Sequence, residues 1–307
     1  MNDAAMVHQV GTAHGPRGCW RDKNTSGKMF TLLPTSRLRR PRTVSRHDDM
    51  NHTPTDRVQR MALGLLQARQ QGEPFTPPAD CVDLNVDEAY AVQALVGEGM
   101  GWFAQGVPAW KAGGSPTVSA APLPAVHPSP GRWQPVVARN TREWLIEAEV
   151  AFRLARAPQG PDLATDVVAA IGTVAVAIEA IDTRLGSGLS GSPSNWKLAD
   201  QGVHGVLVIG PEQPAQPWLR WAPEAWGQLA WQIDVNGHTA QQAQGGLPAV
   251  EPLGALRWLA MHAAEHTGGL KAGDVVTTGA WGMVRARRGE VVDVRFGGLG
   301  QARLTLD

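Results

Sequence analysis

Cysteine is almost missing: the 307 residues contain two, Cys19 and Cys81, and no CxxC pair. That excludes a disulfide framework and a thiolate zinc site, and it fits a reducing cytoplasm. Net charge is missing too, since 28 Lys and Arg balance 28 Asp and Glu, so a nucleic-acid partner has no electrostatic support. No apolar run approaches the roughly 20 residues needed to span a bilayer, which argues against a membrane role. There is no P-loop and no GxSxG elbow. A single tyrosine stands against twelve tryptophans, and core packing is the ordinary use of so many indoles. What is present, 43% hydrophobic and 18% charged residues, suits a soluble globular chain with one large core or two modest domains.

Residues 1–49 differ from the rest. They lack periodicity and carry the basic run "RLRRPRTVSR". They read as a disordered leader, a basic tail, or an upstream extension with Met50 as the working start; no apolar core of signal-peptide length supports export. Order is expected from about residue 50, in a small helical part over 50–115. Thr53 is placed to cap a first helix, with Pro54 and Asp56 at its start, and Val58, Met61, Ala62, Leu65 and Leu66 follow at helical spacing. "NVDEAYAVQALVGEGM" predicts a second helix. After a Pro-rich loop, "SPTVSAAPLPAVHPSPG", a β-rich body over 116–307 is predicted from strand patterns at 144–153, 174–182, 204–209, 229–235, 274–279, 289–296 and 301–306. Asn236-Gly237 marks a hairpin. One helix interrupts the strands, "EPLGALRWLAMHAAEHTGG", stopped by Gly268-Gly269.

The chemistry lies in "WLIEAEVAF", residues 144–152. Residues two apart in a strand share a face, so Glu147, Glu149 and Ala151 face one side and Ile146, Ala148, Val150 and Phe152 the other. Two neighbouring carboxylates raise each other's pKa unless a cation sits between them. "VAVAIEAIDTR" places a third, Glu179, in another apolar strand. Three glutamates without thiolate or imidazole make a hard oxygen site suited to Mg²⁺, Mn²⁺ or Ca²⁺. An exposed strand face bearing ExE is the alternative.

These blocks, with "AWKAG" before them and "NWKLADQ", "GVLVIG", "LKAGDVVTTGAW" and "VRFGGLG" after, resemble the fumarylacetoacetate hydrolase superfamily. They are most similar to its 2-oxopent-4-enoate hydratase and 2-oxohex-3-enedioate decarboxylase branch, over about residues 55–307. The resemblance implies an α+β fold: a twisted mixed β-roll body with a small helical N-terminal part. It implies Mg²⁺ or Mn²⁺ held by Glu147, Glu149 and Glu179, with Lys111 and Asp200 as catalytic residues and Thr278 and Gly279 at the substrate. A 2-oxo acid would chelate the metal, which stabilises an enolate. Three carboxylates and one divalent ion leave one net negative charge and the substrate adds another, which Lys111 offsets. A homo-oligomer, or a hydratase–decarboxylase pair, would also follow.

The chain departs from that pattern around its lid. Gly114-Ser115-Pro116 replaces a threonine–serine pair, and no carboxylate occurs between Lys111 and Glu143. His127 and His204 are replacement acid/base candidates, though each is more often an ordinary histidine. "GSGLSG" (Gly186, Gly188, Gly191) spells GxGxxG, but Ser192-Pro193-Ser194 after it predicts a mobile loop rather than a phosphate-binding helix. Asp182 and Arg184 suit a structural ion pair. The expectation is a 2-oxo acid hydratase. A decarboxylase, a C–C hydrolase and a non-catalytic partner subunit stand as alternatives.

Overall fold

The structure, a computed structural model, describes residues 55–307 except 82, 115–116, 136–142 and 248–250. Residues 1–49 and Thr53 lie outside the described residues. Helix α1 (Asp56–Gln71) begins at Thr55, whose hydroxyl accepts from the Val58 N–H at 3.3 Å, so the cap is Thr55 rather than Thr53. Helix α2 (Val86–Gly99) has a full capping box between Asn85 and Glu88. Met61 and Leu65 of α1 and Val92 and Val96 of α2 share a core with Leu185 and Trp196.

Fourteen strands follow among the described residues. They are β1 (Ala109–Gly113), β2 (Ser119–Leu123), β3 (His127–Pro128), β4 (Gly131–Trp133), β5 (Glu143–Leu154), β6 (Ile171–Ile181) and β7 (His204–Ile209). Then come β8 (Gln213–Pro214), β9 (Ala230–Val235), β10 (His238–Gln244), β11 (Val275–Thr277), β12 (Gly282–Arg287), β13 (Val291–Phe296) and β14 (Gly300–Leu306). A nine-stranded mixed sheet runs β2-β1-β11-β5-β6-β7-β3, with β12 beside β5 and β8 beside β6. A five-stranded sheet runs β10-β9-β13-β14-β4. Asn236 and Gly237, both at positive φ, join β9 to β10 as the hairpin signal predicts.

The interleaved helices are α3 (Leu163–Ala170), the short α4 (Gly188–Gly191), α5 (Ser194–Ala199), α6 (Gln216–Leu219) and α7 (Pro223–Trp226), and α8 (Leu253–His266). The segment expected to be a mobile loop after Gly186 therefore forms α4 and α5. Burial of Trp196, Leu198 and Ala199 against α2 fixes α5, overriding the poor helix propensity of the glycines and serines before it. The Pro-rich stretch also corrects an expectation, because it contains β2. That strand lies at a sheet edge, where Pro122 is tolerated without breaking a ladder on its free side.

The two faces of β5 have different fates. Ile146, Ala148, Val150 and Phe152 enter the main core with Val292, Val294, Leu304 and Leu256. Several tryptophans pack there: Trp226 is fully buried among Phe152, Trp218, Trp221 and Trp281, with ring centroids 5.2–6.4 Å away. On the other face Ala151 joins Ala175, Ala177, Leu207 and Val275 in a layer of mostly small side chains. The glutamates continue that face. Cys81 is buried and unpaired, and among the described residues no helix is long and apolar enough to cross a membrane.

Candidate active site

Strands β5 and β6 pair antiparallel in a register that sets Glu147 opposite Glu179 and Glu149 opposite Ala177. Directly paired residues point to the same face, so the three carboxylates converge, each offering an oxygen within 4.8 Å of the others. Glu149 and Glu179 are buried and Glu147 is half-buried. Burial of unpaired charge is expensive. Desolvation, with neighbouring carboxylates, pushes Glu149 up to about 8, and desolvation with Glu179 pushes Glu147 up to about 7.

Lys111 supplies the opposing charge. It comes from β1, held in place by β11: Lys111 pairs with Thr277, which pairs with Ala151 of β5. Its Nζ donates to Glu179 Oε1 at 2.8 Å and to the Gly202 carbonyl at 3.0 Å. Burial alone would lower the lysine pKa, but Glu179, Glu147 and Glu149 outweigh it and hold it above the ordinary value. Burial would likewise raise Glu179, yet Lys111 and His204 hold it below the ordinary carboxylate range. His204 Nδ1 lies 3.0 Å from the same Oε1, and burial lowers its own pKa. Glu179 Oε2 has no hydrogen-bond partner, although it is buried.

Glu147 and Glu149 open onto a cavity of about 270 Å³, with Glu179 buried behind them. Lys111, Glu147, Glu149, Lys197, Gly202 and Gly279 are among its walls. Gly279, at φ 105°, turns the chain away from β11 and donates its N–H to Glu149 Oε2 at 3.2 Å. Opposite it, a Cβ on Gly113 would sit 3.2 Å from the Gly279 Cα, so the close approach of the two backbones leaves little room for a side chain. A larger, open cleft of about 940 Å³ lies elsewhere, and its charged groups pair among themselves, as Arg153 does with Glu212. It contains none of the triad.

The structure brings Lys111, Gly279 and the three glutamates together. The structure does not place the Asp200 side chain with them. It is fully buried and spent on arginines: Arg184 Nε at 2.7 Å and Arg69 at 3.1 Å on Oδ1, with the Arg184 N–H at 2.7 Å and the Thr183 hydroxyl at 2.9 Å on Oδ2. Arg184 also lies 3.8 Å from Asp182, the ion pair suggested by sequence. Thr278 is buried, with its hydroxyl unpartnered, and is not part of the cavity wall. His127 is exposed on β3, away from the triad.

Two participants, the turn at Gln201–Val203 and Lys197, are not singled out by the sequence. Gln201, Gly202 and Val203 all have positive φ, a left-handed turn that carries the Gly202 carbonyl to Lys111. His204, immediately after it, reaches Glu179. Lys197 lies on α5 at the cavity; its basic side chain within "NWKLADQ" was the available signal.

Residues 89–307 match the family described as fumarylacetoacetate (FAA) hydrolase C-terminal. The chain is 27% identical over 274 residues to a 2-keto-4-pentenoate hydratase of Paraburkholderia xenovorans LB400, covering 82% of this chain and 95% of that one. It is 31% identical over 162 residues to a 2-hydroxyhexa-2,4-dienoate hydratase of Comamonas testosteroni, over 50% of this chain and 56% of the relative. In three dimensions it resembles a 4-oxalocrotonate decarboxylase of Pseudomonas putida G7 complexed with magnesium and adipate. The TM-score is 0.67 at 21% identity, over 81% of this chain and 97% of the other.

Proposed function

Because the chain belongs to the fumarylacetoacetate hydrolase family, we propose that it is a divalent-metal-dependent hydro-lyase of small 2-oxo acids, hydrating 2-hydroxypenta-2,4-dienoate or a close homologue. Hydratase relatives aligned over most of both chains support the reaction. The observation that carries the reading is the convergence of three glutamate carboxylates beside one cavity, with the buried Glu179 Oε2 left unpartnered.

The residues fit a metal. Three carboxylates are hard oxygen donors of the kind Mg²⁺ and Mn²⁺ take. An orphaned buried carboxylate oxygen is what a ligand position looks like before its cation is counted. Glu147, Glu149 and Glu179 would hold the ion, which supplies Lewis acidity to the carboxylate and keto oxygens of a 2-oxo acid.

The chain's own groups do the rest. Lys111 is an ammonium at neutral pH, so it acts first as a positive charge and proton donor. Two of its three N–H donors are used by Glu179 and Gly202, which leaves one for a bound anion. The Gly279 N–H orients Glu149. A cavity of about 270 Å³ suits a substrate of a few carbons. Lys197 adds a second cation for the substrate carboxylate. Hydration consumes one water: its hydroxyl goes to C4 of the diene acid, and protons go to C3 and C5 as the enol becomes the ketone.

The test is turnover of 2-hydroxypenta-2,4-dienoate with Mg²⁺ or Mn²⁺, followed by loss of diene absorbance and product identification. Metal-dependent formation of 4-hydroxy-2-oxopentanoate, abolished by Glu149→Gln, is the expected result. Release of CO₂ from 2-oxohex-3-enedioate instead would make it a decarboxylase. Cleavage into two acids would make it a C–C hydrolase. Metal binding without turnover of any of these would leave a non-catalytic subunit. The same preparation, sized by light scattering, would test the expected homo-oligomer.

A further inference from the structure

Glu179 is held asymmetrically. Its Oε1 receives both the Lys111 ammonium and His204 Nδ1, at 2.8 and 3.0 Å, while Oε2 receives nothing. An ionised carboxylate only accepts, so the Nδ1 of His204 carries the proton and the imidazole is the Nδ1–H tautomer. With two donors fixed on one oxygen, the carboxylate cannot rotate to share its oxygens between neighbours. The other oxygen stays buried and unpartnered, in a residue whose carboxylate joins those of Glu147 and Glu149 in a cluster with an oxygen of each within 4.8 Å of the others.

His204 is itself fixed. Its side chain is buried, and its backbone carbonyl accepts from Arg184 Nη1 at 2.9 Å. The same guanidinium is clamped by the Asp200 side chain and by the Asp200 carbonyl at 3.0 Å. Between Asp200 and His204 run the three left-handed residues Gln201, Gly202 and Val203. Positive φ is costly for a β-branched residue such as Val203 and persists only where the surroundings impose it. The Asp200–Arg184 cluster imposes it here, and the outcome is two contacts on the triad: the Gly202 carbonyl on Lys111 and the imidazole on Glu179. The buried ions around Asp200 are thus the footing of the acidic site.

We infer that His204 is a positioning residue for the metal site: its Nδ1–H, together with Lys111, fixes Glu179 by one oxygen so that the other is presented as a ligand. The inference rests on the reading of Glu147, Glu149 and Glu179 as metal ligands. Partners that orient a ligand from behind typically change metal affinity by about 10–100-fold when removed.

The experiment is Mn²⁺ binding to the metal-free full chain, by titration calorimetry and by the Mn²⁺ electron paramagnetic resonance signal, for the native protein and four variants. His204→Asn places an amide N–H near the position of Nδ1 and should keep Mn²⁺ affinity within about threefold of native. His204→Gln, whose amide reaches the position of Nε2, and His204→Leu should weaken binding by about 10–100-fold. Glu149→Gln should weaken it at least as much. A thermal melt of each metal-free variant confirms folding, and if His204→Leu does not fold, the Asn and Gln pair carries the comparison. Equal affinity for Asn, Gln and native, with Glu149→Gln impaired, would overturn the role of His204 and leave the metal site standing. Unchanged Mn²⁺ affinity in Glu149→Gln would overturn the metal reading itself, and the inference with it.

Discussion

Glu147 and Glu179 stand directly opposite each other on neighbouring antiparallel strands, and both point to the face that carries Lys111. Like charges directly opposite in a sheet are destabilising. One register position therefore brings together a liability that a single lysine only partly offsets.

Glu149→Gln should separate metal binding from folding. In the native protein Mg²⁺ or Mn²⁺ should raise the melting temperature, by roughly 2.7 kcal/mol of stabilisation at a hundredfold excess over Kd. The variant should lose that response. Its metal-free form at pH 8 should be as stable as native or more so, because a neutral amide replaces a buried carboxylate. A metal response that survives in the variant would show that the ion binds elsewhere.

The metal-free protein should become less stable as pH rises from about 5 to 8.5. Glu147 and Glu149 have folded-state pKa values raised from 4.5 to about 7 and about 8. They bind protons more tightly folded than unfolded, so their contribution is complete below about pH 4.5 and is lost as pH climbs through those values. Glu179, depressed, has the opposite sign, and its contribution is lost only in acid. Saturating Mg²⁺ should flatten the neutral-to-alkaline slope, because a bound cation takes the place of the protons. Melting curves at half-unit pH steps, with and without Mg²⁺, would read this; a rising metal-free curve across the window would contradict it.

Lys111→Met leaves Glu179 buried without its main countercharge. Removing one partner of a buried pair costs about 3–5 kcal/mol, and less here because the lysine side chain keeps 19% exposure. Added Mg²⁺ should restore part of that stability. Activity should fall by about 10²–10⁴-fold even with metal bound, if the lysine also handles a proton. Full activity with restored stability would reduce Lys111 to a structural ion.

Asp200→Asn should behave as a folding defect. It removes the anion from Arg69 and leaves Arg184 only the longer contact to Asp182, and with both guanidiniums nearly inaccessible it should cost about 3–5 kcal/mol. The residual folded fraction should still bind metal. Urea unfolding compared with Mn²⁺ titration would show it, and an inactive variant of native stability would return Asp200 to the chemistry.

The glutamates were legible because strand alternation is local: an apolar run with acids two apart fixes their face before any partner is known. The Asn236-Gly237 hairpin was legible for the same reason. The left-handed turn at Gln201–Val203 was not, since two of its three residues disfavour positive φ and only the Asp200–Arg184 cluster holds them there. The partners of Asp200 were not legible either: the resemblance singles out the acid, but its two arginines lie 16 and 131 positions away. Strand β2 was hidden by Pro122 and the prolines around it, which an edge position tolerates.

Strands β1 and β11 are neighbours in the sheet, yet almost the whole body of the chain is synthesised between them. Lys111 leaves the ribosome early, and the strand that seats it against β5 arrives close to the end. At about 5–20 residues per second, the nascent chain carries its three glutamates for several seconds without that lysine in register. A product released before Val275 has no means of closing β1 onto β5, so it cannot bury those acids beside their cation. Translation therefore makes completion of the sheet and assembly of the site a single late event, and an unfinished chain is marked by an acidic strand paired with β6 but lacking its link through β11 to β1.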